Sequence, residues 1–238
     1  MEQPPRSRIQ WKGYHRIISS RFPPIDLFER VSPAEDWEVL AEIEGLTNQR
    51  LRQSYGDISL VPPTRRVSGP GASYTMAPFV HVSPDRPSRF SDGNEFGVFY
   101  AAQDFATAVL EIAYHRAKFF AATNDEPLKT EERVLKGSID ATLHDIRADK
   151  WKDAHHPNDY STSQVLAKKL RNEEDSNGII YNSVRKPGGQ NFATFWPDVM
   201  DIPIQTKHIG YHWNGIYVDK YFDYETEAWI DLPNLLTL

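Results

Sequence analysis

The chain has 238 residues, 39% hydrophobic and 25% charged, with a net charge of −6 and no cysteine. That composition suits one folded core with elaborations, excludes disulfide, thiolate-metal and cysteine-nucleophile chemistry, and offers no basic surface for nucleic acid or an anionic membrane. The opening MEQPPRSRIQWKGYHRI holds no apolar run of signal-peptide length, and no segment reaches the roughly 18 apolar residues of a membrane span, so a soluble, cytoplasmic protein is expected.

Residues 1–10 are polar and proline-bearing and are expected to be loose. Tyr14 to Ile18 reads as a short strand, stopped at Pro23–Pro24. Ser32-Pro33-Ala34-Glu35 is a capping box with proline at N1, and Trp37, Leu40, Ile43 and Leu46 follow at helical spacing, so a helix is predicted from Pro33 to Arg52. Ile58 to Val61 reads as a brief strand before the irregular loop PPTRRVSGPGAS, whose Arg65 and Arg66 are either solvated charges or anion ligands. Ala77 to Val82 reads as extended.

Phe96 to Ala102 is predicted as a strand after the Ser91-Asp92-Gly93-Asn94 turn, and Asp104 caps a helix running to about Ala121. Phe105, Val109, Ile112 and Phe119 form its apolar stripe, with Ala108, Glu111 and His115 on the adjacent strip. Arg133 to Ile139 is a strand, Trp151 to Tyr160 a loop, and Ser161 to Asn172 an amphipathic helix carrying Val165, Leu166 and Leu170. Gly178 to Val184 and Phe192 to Trp196 read as strands joined by the Arg185–Gly189 turn, and Ile209 to Leu232 as further strands at a sheet edge.

No phosphate-binding loop, dinucleotide fingerprint, zincin helix or hydrolase nucleophile elbow is present. The adjacent histidines His155 and His156 lack a suitably spaced third ligand. What remains is Arg89, Tyr100 and Glu111 close together, with Ser183 on a distant strand. Singly, Arg89 reads as a surface charge, Tyr100 as a core aromatic and Ser183 as a polar strand residue, while Glu111 can pair with Arg116, Lys118 or His115. Jointly, a carboxylate set among Ala, Val, Leu and Ile needs either a partner or a chemical role.

The blocks RFSDG…FGVFYAA…TAVLEIAYHR and GIIYNSVRKPGG…FATFWPDV, with VSGPGASYTMAPFVH ahead of them, resemble the RES domain of bacterial toxin–antitoxin systems. The likeness is greatest to the longer, ParT-like members and extends from Tyr14 to Pro203. It implies an α+β, ADP-ribosyltransferase-like fold with a split, curved β-sheet around an NAD cleft. An N-terminal strand-and-helix extension (1–60) would precede a catalytic core (61–205) and a strand-rich tail (206–238). It further implies NAD as substrate, a cognate Xre-type antitoxin protein as partner, and Arg89, Tyr100, Glu111 and Ser183 as the family's arginine, tyrosine, glutamate and serine. Gln190-Asn191 stands where an acidic-plus-cysteine pair is more usual.

On that resemblance Glu111 faces the cationic ribose that forms as the nicotinamide bond breaks. Arg89 takes the pyrophosphate, with Arg16 as second candidate, Tyr100 stacks on nicotinamide or positions the ribose, and Ser183 hydrogen-bonds Glu111 or the substrate. Transfer of ADP-ribose to a protein acceptor is the leading expectation. An NAD phosphorylase or glycohydrolase is the nearest alternative, and a non-catalytic binding protein, with the four residues as structural contacts, a third.

Overall fold

The computed structural model describes residues 2–20 and 56–237. The helix expected over Pro33 to Arg52 lies outside the described residues. Among the described residues, nine strands form one hydrogen-bonded sheet: β1 (Arg6–Ser19), β2 (Phe99–Ala102), β3 (Leu128–Lys129), β4 (Glu132–Asp145), β5 (Gly178–Asn182), β6 (Gln190–Thr194), β7 (Ile204–Trp213), β8 (Val218–Asp223) and β9 (Ala228–Asp231). The α-helices are α1 (Ala72–Val80), α2 (Phe105–Thr123) and α3 (Ser161–Glu173).

The sheet is organised by β4. One edge of β4 pairs with β1 from Arg6↔His144 to Ser19↔Glu132. The other edge is shared, with antiparallel β7 taking Glu132 to Lys136 and parallel β5 taking His144 and Asp145. At this fork the sheet divides into a β7–β8–β9 wing and a β5–β6–β2 limb, and the limb returns to β1 through the His15↔Ala102 pair. The sheet thus forks within one continuous ladder.

Several local expectations are corrected. The loose N-terminus and short strand are one long strand from Arg6, because residues 6–11 have a full ladder partner in β4, reinforced by Arg8–Asp140 and Ser7–Asp145 side-chain bonds. Tyr14 is fully buried, and the Tyr14↔Gly137 register works because a Cβ at Gly137 would lie 2.5 Å from the Tyr14 hydroxyl. Ile58–Leu60 is a 3-10 turn, not a strand. Part of the supposed irregular loop and the extended stretch after it is α1, in which Ala72, Met76, Phe79 and Val80 bury one helical face. That burial outweighs the missing N–H of Pro78 inside the helix.

In α2, Asp104 accepts from the Thr107 amide at 2.8 Å and the helix closes on Asn124 at φ 51°. The core-facing stripe is Val109, Ala113, Ala117 and Phe120 against Ile17, Val134, Ile209 and Tyr211. Phe119, expected in that stripe, is exposed, as is Val165 in α3. The buried stripe runs through Ala113, Ala117 and Phe120, and at about 100° per residue Phe119 turns away from it. Glu111 remains on the helix flank beside the β2–β6 limb.

Candidate active site

The strip of α2 next to its core face borders a cleft of about 310 Å³. Its walls come from β1, β2, α2, the start of α3 and the β5–β6 turn. Among the described residues one carboxylate, Glu111, and three guanidinium groups, Arg16, Arg89 and Arg185, line it, so the cleft carries a net positive charge.

Glu111 is held through a single oxygen. Ser183 Oγ donates to Oε1 at 2.6 Å and Asn191 Nδ2 to the same Oε1 at 2.8 Å. Ser183 is itself fixed, its Oγ accepting from the backbone amides of Arg185 and Lys186 at 3.1 and 3.0 Å. The β5–β6 turn therefore sets the carboxylate rotamer, while no hydrogen bond from a described residue reaches Oε2. Of the anticipated pairings for Glu111, Arg116 is engaged elsewhere, with Glu132 at 2.8 Å.

Tyr100 lines the cleft with its hydroxyl occupied. It hydrogen-bonds Ser88 Oγ at 2.9 Å, accepts from the Phe90 amide at 2.9 Å, and its ring stacks on Phe90 at 6.2 Å. Burial pushes the phenol up to about 12. Arg16, on β1, donates to the Tyr100 carbonyl at 2.8 Å and lies 4.5 Å from the Phe99 ring centre. Desolvation lowers it to about 10, so it stays charged, and its buried Nε has no partner among the described residues.

Arg89 is 8% exposed. Its Nη1 donates to the carbonyls of Ala154 and His156 at 3.2 and 3.0 Å, and its guanidinium lies 4.8 Å from the Tyr160 ring centre. This arginine thus organises the 154–160 segment as well as facing the cleft. Arg65 and Arg66 do not reach the cleft: Arg65 pairs with Asp198 at 2.9 Å, and Arg66 donates to the Val61 carbonyl at 2.8 Å. The rings of His155 and His156 hydrogen-bond local backbone, and no metal-holding group of three His, Asp or Glu occurs among the described residues. Among them, no helix is long and apolar enough to cross a membrane.

Sequence reasoning assigns no site role to Asn191, Arg185 or Tyr160, and names His115 only as a neighbour and pairing partner of Glu111. Asn191 stands out in the sequence only as a departure from the usual residue, two positions after the paired glycines of the turn. Arg185 is 3% exposed, donates to the Pro157 carbonyl at 2.6 Å and places its guanidinium over Tyr114, 3.4 Å from the ring centre. Those partners come from sequence-distant elements and leave no local pattern.

His15, His115, His144 and His155 are all held below the ordinary imidazole value near 6.5. Desolvation is the first cause in each, followed at His15 by Lys136, at His115 by Arg185 and at His144 by Arg6. The His115 ring, though still reached by solvent, is neutral at neutral pH. The unfolded chain takes up protons that the native protein refuses. Stability is therefore complete above about pH 6.5 and is lost as pH falls below it. Thermal melting followed from about pH 7.5 to about pH 5 should show a steadily falling midpoint, and a flat profile would contradict this reading.

Comparison with known proteins agrees with the sequence blocks. A protein of Sinorhizobium fredii (strain NBRC 101917 / NGR234), y4oC, itself uncharacterized, is 29% identical over 215 residues, spanning 89% of this chain and 87% of its own. In the crystal structure of the M.tuberculosis MbcT-MbcA toxin-antitoxin complex, a chain with 10% identity aligns over 84% of this chain and 85% of its own at a TM-score of 0.44, an agreement too loose to argue from. The RES domain model matches residues 63–214, well over half of the chain and inclusive of Arg89, Tyr100, Glu111 and Ser183. The chain belongs to the RES domain family.

Proposed function

We propose that the cleft binds NAD and breaks its nicotinamide–ribose bond, and that the chain is the toxin of a toxin–antitoxin pair with an ADP-ribosyltransferase-like fold. The observation that carries this is the held carboxylate: two donors converge on Glu111 Oε1 and leave Oε2 to face a ligand. As the C1′–N1 bond breaks, its electron pair returns to the pyridinium ring and nicotinamide leaves neutral. The ribose gains oxocarbenium character, which a fixed carboxylate stabilises without reorganising. Arg16 and Arg89 supply positive charge for the pyrophosphate, and Tyr100 forms a rigid wall.

The acceptor then bonds to C1′ and gives up its proton. We assign that place to a protein side chain, following the ParT-like resemblance. A cytoplasmic setting and an Xre-type antitoxin that covers the cleft complete the reading. With radiolabelled NAD, label should appear on protein in both phosphate-free and phosphate buffer. ADP-ribose-1″-phosphate formed only with phosphate would replace transfer by phosphorolysis, and free ADP-ribose alone would replace it by hydrolysis. Unchanged NAD in every arm would overturn the enzymatic reading.

A further inference from the structure

Tyr100 was the expected tyrosine of the site, yet its hydroxyl is committed to Ser88 and Phe90. A second tyrosine in the same cleft has the opposite character. Tyr160, half-buried at the start of α3, lines the cleft, and its hydroxyl makes no hydrogen bond among the described residues.

The placement of Tyr160 is built. Ser163 Oγ donates to both the Arg89 carbonyl at 2.6 Å and the Tyr160 carbonyl at 3.0 Å, which ties the start of α3 to residue 89. The Arg89 guanidinium lies 4.8 Å from the ring centre, and its Nη1 bonds to Ala154 and His156 hold the segment that leads to Tyr160. Ring and arginine thus form one rigid unit. Burial, the leading cause, raises the pKa of the hydroxyl against the opposing charge of Arg89, with smaller effects from Tyr114, Arg185 and Glu111, so at neutral pH it is a proton donor. An aromatic ring beside a guanidinium, with an unoccupied hydroxyl lining the same cleft as a carboxylate that itself has one free oxygen, matches a polyol better than a flat heterocycle.

We infer that Tyr160 is a ligand-binding residue whose hydroxyl donates to a ribose hydroxyl oxygen of the bound nucleotide, while Glu111 Oε2 accepts that hydroxyl's proton. This rests on the reading of the ligand as NAD and adds the residue that positions its nicotinamide ribose. Because the phenol oxygen has no protein partner, Tyr160→Phe removes the contact and leaves the ring on Arg89, so the variant should melt like the wild type. Tyr100→Phe, by contrast, should lower the melting temperature.

The test pairs the variant with the substrate. Against NAD, Tyr160→Phe should lose roughly 3–10-fold in kcat/KM, and against NAD lacking the 2′-hydroxyl of the nicotinamide ribose the two proteins should be equal. An equal loss on both substrates, or no loss on NAD, overturns the inference. Calorimetry with ADP-ribose gives a readout independent of turnover. Weaker binding by Tyr160→Phe in a protein that leaves NAD intact would sink the proposed reaction but keep the ribose contact. Equal binding by both proteins, or none by either, overturns the ribose contact.

Discussion

Glu111→Gln should fold normally and lose about 10²–10³-fold in NAD turnover, the scale of removing one preorganised electrostatic group. Both hydrogen bonds to residue 111 end on Oε1. A glutamine can keep both donors on its own carbonyl oxygen, so the site geometry is retained. What is lost is the negative charge opposite the developing oxocarbenium ion, at the position where an amide would present N–H donors instead of an acceptor. The larger part of the drop should fall on kcat, because the charge is opposed only as the pyridinium–ribose bond breaks, with a smaller rise in KM from the lost Oε2 acceptor for the ribose hydroxyl. If a folded Glu111→Gln protein consumed NAD at the wild-type rate, the carboxylate would be a structural contact and its catalytic assignment would fail.

The largest stability effect lies behind the same helix. Glu132 is fully buried on β4 and its Oε2 is paired with Arg116 of α2 at 2.8 Å, while Oε1 has no partner among the described residues. Arg116→Met removes the counterion that Glu132 has among the described residues and leaves a carboxylate in the core. The expected cost is about 3–5 kcal/mol in urea denaturation. Replacing both members, Arg116→Met with Glu132→Met, should recover much of that loss, since an apolar pair avoids the desolvation of either charge. A single-variant cost below about 1 kcal/mol would show that water or rearrangement reaches Glu132.

The two cases show where sequence reading succeeds. The helix bearing Glu111 was legible from Asp104, whose capping role is local, and the strand–turn–strand bearing Ser183 from its glycines and apolar runs. A serine close in space to a glutamate so far away in sequence followed only from the family blocks. Length of β1 was not legible, because Arg6 to Trp11 are polar enough to pass for a tail and become strand only by pairing with β4. The helix over Ala72 to Val80 was hidden by Pro78, whose usual meaning is a break. Arg116 reads as a natural partner for nearby Glu111, yet the fold turns it to Glu132 on the sheet. Asn191 and Tyr160 depend on long-range geometry: one needs the β6 register, the other the carbonyls gathered by Arg89.

The reading of this molecule as an NAD-cleaving enzyme is tested most directly by a crystal structure of Glu111→Gln with NAD, trapped by its slow turnover. The expected result places the nicotinamide ribose C1′ about 3–3.5 Å from the residue 111 side chain, the ribose hydroxyl against Tyr160 and the pyrophosphate toward Arg16 and Arg89. NAD bound elsewhere on the protein, or absent from the cleft at saturating concentration, would contradict it.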